Sequence, residues 1–175
     1  MAVFAQRGCR ATSHMSGFTL IELVMVIVLI GILSVVVLPR FADKTFDERG
    51  FHDALKSVVQ HARHVAVASR RFVCVEVNAA TGVVLLKRDE ASPDGKTSID
   101  CNADLPLPSG GNGCDASNQA CAPSGVFIGS ASTPNLIFDP LGRLVSSPGS
   151  VASAASITIS NQPEITVIPQ TGYVQ

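Results

Sequence analysis

One carboxylate and four cysteines stand where the residue type itself demands a chemical explanation. From Phe18 to Leu38 the only polar side chains are Thr19, Glu22 and Ser34, and a carboxylate in so apolar a setting costs about 3 kcal/mol on membrane-insertion scales. Glu22 therefore calls for a partner, unless it lies close enough to an interface to snorkel or to stay protonated. Cys74, Cys101, Cys114 and Cys121 all follow the apolar run, whereas Cys9 precedes it. An even set of four in an oxidising compartment predicts two disulfides; three connectivities are open, and Cys74 with Cys101 and Cys114 with Cys121 is the favoured one. Zinc is the rival use of four thiolates, but the paired C-x-x-C spacing of a zinc knuckle is missing. Lipidation of Cys9 is disfavoured, because Gln6-Arg7-Gly8 stands where an apolar stretch would be needed.

Other reactive groupings are weak. His61 and His64 stand three apart, with His52 further back, and no carboxylate is placed to complete a metal site with them. No Gly-x-Ser-x-Gly and no His-Glu-x-x-His occurs, and the Ser109-Gly110-Gly111-Asn112-Gly113 stretch lacks the Lys-Ser/Thr ending of a phosphate loop. The expectation is a protein without catalytic residues, metal or cofactor. Net charge is −1 with a pI near 6.4, so nothing draws the whole chain toward nucleic acid. Arg70 and Arg71 suit the C-terminal end of a helix dipole. Beyond Lys96 the only Lys or Arg is Arg143, too sparse for a cationic track along phosphates.

The elements that must position these residues follow from apolar spacing. Residues 18–38 form about 20 residues of helix, roughly the 30 Å hydrocarbon core of a bilayer. Arg7 and Arg10 precede this run and predict a cytoplasmic N-terminus, with everything after Leu38 on the far side. A conventional secretory signal is cut after its apolar region at a small-x-small site, and Leu38-Pro39-Arg40-Phe41 offers none. Pro39 closes the run and is expected to bend or break the helix. Thr45 followed by Glu48 reads as a capping box for a second helical segment. Phe51, Leu55, Val58, Ala62, Val65 and Ser69 then recur at spacings of four and three, one buried face of an amphipathic helix ending at Arg70-Arg71. Strands are predicted at 72–77 and 83–88, a hairpin around Gly82, and at 125–128, 136–138, 144–146, 157–160 and 165–168. Between them, residues 89–124 form a long Ser-, Gly- and Pro-rich stretch holding three of the four cysteines. Such loops are functional or disordered, and cysteines argue for order.

The N-terminal pattern, Gly17-Phe18-Thr19-Leu20-Ile21-Glu22 ahead of a long apolar helix, resembles the prepilin and pseudopilin signal of the type IV pilin superfamily. In the C-terminal half, Phe138-Asp139-Pro140-Leu141-Gly142-Arg143, Ile157-Thr158-Ile159-Ser160, Glu164-Ile165-Thr166-Val167 and Thr171-Gly172-Tyr173-Val174 resemble the branch containing GspH and FimT, most of all the minor pilins of the mannose-sensitive haemagglutinin (MSHA) pilus, the MshC type. The resemblance implies an α+β fold, a long N-terminal α-helix packed on an antiparallel β-sheet head. It divides the chain into a leader (1–17), a membrane-spanning helix (18–38), an amphipathic continuation (39–71) and a head (72–175) with its cysteine-bearing loop.

It further implies prepilin peptidase cleavage between Gly17 and Phe18, N-methylation of Phe18, and a kink at Pro39. The new amine of Phe18 in a neighbouring subunit would then be the partner of Glu22 during filament assembly. The implied partners are other pilin subunits, the peptidase, an inner-membrane assembly platform and the membrane. The implied location is the bacterial inner membrane and then the pilus, for adhesion or motility. A type II secretion pseudopilin of the same shape, and a DNA-binding minor pilin, are the alternatives.

Overall fold

The computed structural model describes residues 18–41, 44–109, 111 and 113–175, with side chains omitted from 35 to 43. The leader, Gly17 and Cys9 lie outside the described residues. Contacts divide the chain into two units, Met1–Ala42 and Asp43–Gln175.

The first unit holds helix α1, Leu20–Phe41, 22 residues long. Its start is set by Thr19, whose hydroxyl accepts the Glu22 N–H at 3.3 Å while its carbonyl takes the Leu23 N–H at 3.2 Å. Thr19 is thus the N-cap and Glu22 the third helical residue. The backbone stays helical through Pro39 to Phe41. The kink expected at Pro39 falls outside the residues whose side chains are described.

The second unit begins with helix α2, Lys44–Ser69, 26 residues. Its start corrects the predicted capping box, because Thr45 is already inside the first turn. Glu48 is buried and accepts a long bond, 3.4 Å, from the Asn161 amide. The buried face is Phe51, Leu55, Val58, Val59, Ala62 and Ala66. Val65 and Ser69, expected on that face, are only half buried, so the stripe is rotated slightly from the predicted one. α2 ends in a Schellman turn: Arg70 takes φ 51° and the Arg71 N–H reaches back to the Ala66 carbonyl at 3.2 Å, closing the last turn without glycine.

The expected sheet is realised as two antiparallel sheets. The larger contains β1 (Val73–Asn78), β2 (Val83–Arg88), β3 (Ala103–Asp104), β6 (Asn135–Phe138), β7 (Leu144–Ser147) and β8 (Ser150–Val151) in the order β3-β2-β1-β6-β7-β8, and β4 (Gln119–Cys121) also pairs with β2. The smaller contains β5 (Ile128–Ala131), β9 (Ala155–Ile159), β10 (Ile165–Ile168) and β11 (Tyr173–Val174) in the order β11-β10-β9-β5. The strand predicted at 125–128 starts at Ile128 instead, because Gly125 at φ 86° and the Val126 N–H to Pro123 carbonyl bond make a turn there. One core joins the helix face to both sheets, with Leu55, Val59, Leu86, Leu136, Phe138, Ile157, Ile159 and Ile165 fully buried.

Residues 89–124 are built into this unit. Leu105, Leu107 and Ala120 are buried in the core. The Leu105 N–H bonds the Leu86 carbonyl at 3.1 Å, and the Leu86 N–H bonds the Asn118 carbonyl at 2.9 Å. Buried Asn118 also donates to Asp104 at 2.9 Å. The stretch therefore finishes one edge of the larger sheet.

Candidate functional site

Among the described residues, those able to engage a partner through α1 are at the surface. Every large apolar side chain from Leu20 to Leu33 is exposed, from 40% at Val24 to 82% at Leu20, and Phe18 is exposed beside them. Among the described residues no helix is long and apolar enough to cross a membrane. The part of α1 with described side chains, Leu20 to Ser34, rises only about 22 Å. An apolar surface of this extent, contiguous around a helix, marks a face covered by another chain or by lipid. Glu22 stands exposed in the first turn of α1, where its charge is favoured by the helix dipole. Gly17 lies outside the described residues, so the Gly17–Phe18 bond does too; Phe18 and Thr19 are non-helical.

The structure brings the four cysteines together in pairs, Cys74 with Cys101 and Cys114 with Cys121, at Cα separations of 6.1 and 5.6 Å. Cys74 is on central β1, so its bond ties the loop ahead of β3 to the middle of the sheet. The second pair closes a short ring at β4.

Two buried carboxylates organise the loops around these elements: Asp139, in a stretch whose sequence reads as a turn, and Asp89, which the sequence did not single out. Asp89 accepts the Ala91 N–H at 2.9 Å on one oxygen, and the Asp100 N–H at 3.1 Å together with the Lys96 ammonium on the other. Burial by itself pushes its carboxyl up, but Lys96 and the two backbone donors outweigh that and hold it below the ordinary carboxylate range. Asp139 accepts the Leu141 and Arg143 N–H groups at 3.0 and 2.8 Å and the Arg143 guanidinium at 2.9 and 2.7 Å. It thereby fixes the β6–β7 turn. Asp-x-x-Gly is a turn signal that sequence can carry; nothing local announced Asp89.

His52 contacts Asp53 at 3.1 Å, and among the described residues no three His, Cys, Asp or Glu side chains are grouped to hold a metal ion.

An exposed, N-capped apolar helix ahead of a closed head, in which an amphipathic helix lies on antiparallel sheets, defines a structural subunit made to be held by others. Residues 12–38 match the prokaryotic N-terminal methylation motif. The structure is similar to the type IV minor pilin FimU of Pseudomonas aeruginosa, with a TM-score of 0.50 at 15% identity over 75% of this chain and 89% of that one. It also aligns with the minor pseudopilin EpsH of the Vibrio cholerae type II secretion system, with a TM-score of 0.47 at 13% identity over 76% and 94% of the two chains. In sequence it is 37% identical over 91 residues to PilA5, the type IV narrow pilus major component of Thermus thermophilus, spanning 50% of this chain and 78% of that relative. The chain belongs to the type IV pilin family, and like its relatives it is a structural protein, not an enzyme.

Proposed function

We propose that this chain is a minor pilin of an MSHA-like type IV pilus, made as a prepilin. In this reading a prepilin peptidase cuts between Gly17 and Phe18 and methylates the new Phe18 amine. An inner-membrane platform then draws the subunit out of the bilayer into the filament. The observation that carries the reading is the exposed apolar surface of α1 immediately after Gly17-Phe18. Read as sequence, that run continues through Val35-Val36-Val37-Leu38, which brings it to about 20 residues, roughly the thickness of the hydrocarbon core. The anchor holds the subunit in the inner membrane with its head in the periplasm, where the two disulfides are stable. Glu22 takes the Phe18 amine of a neighbour as its partner, and Pro39 gives the helix its bend between the apolar and amphipathic parts.

The test is intact mass and N-terminal sequencing of the protein from membranes of a host carrying the peptidase, with Gly17→Val alongside. The wild type is expected to begin at N-methyl-Phe18 and the variant to keep Met1. Both keeping Met1, or cleavage after Leu38, would overturn the reading. Recovery in sheared pili, as opposed to a secretion pseudopilus, decides which filament takes it.

A further inference from the structure

The start of α2 and the turn that leads into β5 make a surface that the core of the head does not use. Val126 and Ile128 are buried, and Phe127 between them is 69% exposed, because successive side chains of an extended backbone point to opposite sides. The ring is held there firmly. The Phe127 N–H bonds the Ser160 hydroxyl at 3.1 Å, and the Phe127 carbonyl accepts the Ser160 N–H at 3.0 Å. Ser160 sits at φ 31°, a conformation that a residue other than glycine adopts only at a cost. Phe46, in the first turn of α2, is 60% exposed. The two rings flank one turn: Phe46 and Gly50 border a hollow with Ala122 and Pro123, and Pro123, Gly125 and Phe127 border the next. Lys44 joins them, since a Cβ added at Gly125 would lie 3.8 Å from its Nζ. Asn161, beside Ser160, gives its amide to Glu48 on α2, so the helix start and both turns form one body, the foot of the head.

The place of this foot in the chain says what covers it. Read as sequence, the apolar run ends at Leu38 and Phe46 follows eight residues later, so even an extended chain puts the foot no more than about 28 Å from the end of the run. Val67 lies about 32 Å further along α2, and the Gly142 corner packs against it, where an added Cβ would be 2.9 Å from the Val67 side chain. The tether therefore keeps the foot near the bilayer and leaves the Leu141–Gly142 corner free to stand off. A phospholipid headgroup layer also suits the foot in chemistry. Aromatic rings settle at the acyl boundary, while a lysine extends its ammonium to the phosphates. From residue 44 to 50, Lys44 and Arg49 are exposed against one exposed carboxylate, Asp47, and Glu48 is buried.

We infer that Phe46, Phe127 and Lys44 rest the head on the phospholipid surface while the subunit stands in the membrane. The inference rests on the reading in which residues 18–38 span the bilayer, and it adds a second, shallow lipid contact made by the head itself. The chain has no tryptophan, so Phe127→Trp, Leu141→Trp and Leu33→Trp proteins each carry a single reporter. Each full chain is placed in vesicles of phosphatidylethanolamine and phosphatidylglycerol, with the upper acyl chains brominated or not, after mass has shown both disulfides formed. Bromine should quench the Phe127→Trp emission at least twofold and leave that of Leu141→Trp unchanged. Adding Lys44→Glu and Phe46→Ser should halve the quenching of Phe127→Trp. Equal quenching of Phe127→Trp and Leu141→Trp overturns the inference. So does a Phe127→Trp emission shielded from iodide yet indifferent to bromine, the mark of a protein partner on the foot. If Leu33→Trp is quenched and Phe127→Trp is not, the membrane-anchor reading survives that loss; if neither is quenched, both fall.

Discussion

Replacing Asp89 by Asn should loosen the loop that it anchors without disturbing the sheet behind it. The Asn carbonyl oxygen can still accept the Ala91 N–H, but its amide would face the Asp100 N–H and the Lys96 ammonium, donor against donor. Two hydrogen bonds to a charged acceptor are lost, each worth about 1.5–3 kcal/mol. Part is recovered, because the Lys96 side chain is 16% exposed and can swing into water, and Asp100 lies at the surface. A net loss of about 2–3 kcal/mol in local stability remains, or roughly 30- to 160-fold in the opening equilibrium. Amide hydrogen exchange of the full chain in detergent reads this directly. Asp100 should exchange faster by that factor, and Leu86, bonded to Asn118 deep in the sheet, should stay within about threefold. The pH dependence follows from the direction of the shift. The folded pKa lies below the unfolded value of about 3.9, so the unfolded chain takes up the proton first as pH falls. The stabilisation is therefore complete above that value and is lost as pH falls through the folded pKa. After correction for intrinsic exchange rates, wild-type protection at Asp100 should fall in acid and that of Asp89→Asn should stay flat. Equal protection in the two proteins at pH 7 would refute the anchoring role.

Removing the Cys74–Cys101 bond with a pair of serines should cost about 3.5 kcal/mol by loop-closure entropy, and removing Cys114–Cys121 only about 2.5 kcal/mol, because the sequence separations are 27 and 7. Guanidinium unfolding in detergent followed by circular dichroism ranks the two, and a reversed order would count against the entropic account. Gly172→Ala should destabilise by about 3 kcal/mol, since it combines positive φ with a Cβ placed 2.0 Å from the Gly142 carbonyl. Gly149→Ala, also at positive φ but with open space around it, should cost only about 1 kcal/mol in the same assay.

What could be read from the sequence depended on how local the deciding physics was. The N-terminal motif and the apolar run are contiguous, so they were legible, whereas Thr19 as the α1 cap emerges from the structure. The α2 face was found by periodicity, yet Val59 and Ala66 were missed because the stripe was read along one ridge only. The strands with alternating apolar residues, β1 and β2 above all, were legible for the same reason. β3 and β4 were not: they are two and three residues long, and β2, more than a dozen residues upstream, is what makes them strands. Asp89 escaped for a related reason. Its partners Lys96 and Asp100 are placed by a loop whose path is fixed by Cys101, Leu105 and Leu107, none of which marks Asp89 in sequence.

The position of Glu22 can be weighed by magnitude. The core cluster of the head begins at Phe51, so folding of the head puts no demand on which residue stands at position 22. In the isolated chain Glu22 is exposed and capped in place, and it meets no penalty. The penalty arises when α1 is covered, whether by hydrocarbon or by other helices, at about 3 kcal/mol on insertion scales. Its place in the first turn, with Thr19 as cap, returns about 0.3–1 kcal/mol through the helix dipole. A helix cap thus accounts for a third of the cost at most; a carboxylate that neither snorkels nor stays protonated would need roughly 2 kcal/mol from a partner that is present only when α1 is covered. In the proposed filament, an amine at the start of a neighbouring helix would supply it at one axial offset; one turn away, about 5.4 Å, the carboxylate would again be unpaired in an apolar surround. On the proposed filament reading, the same charge that is neutral for folding would select one register among the many that a featureless apolar helix would accept.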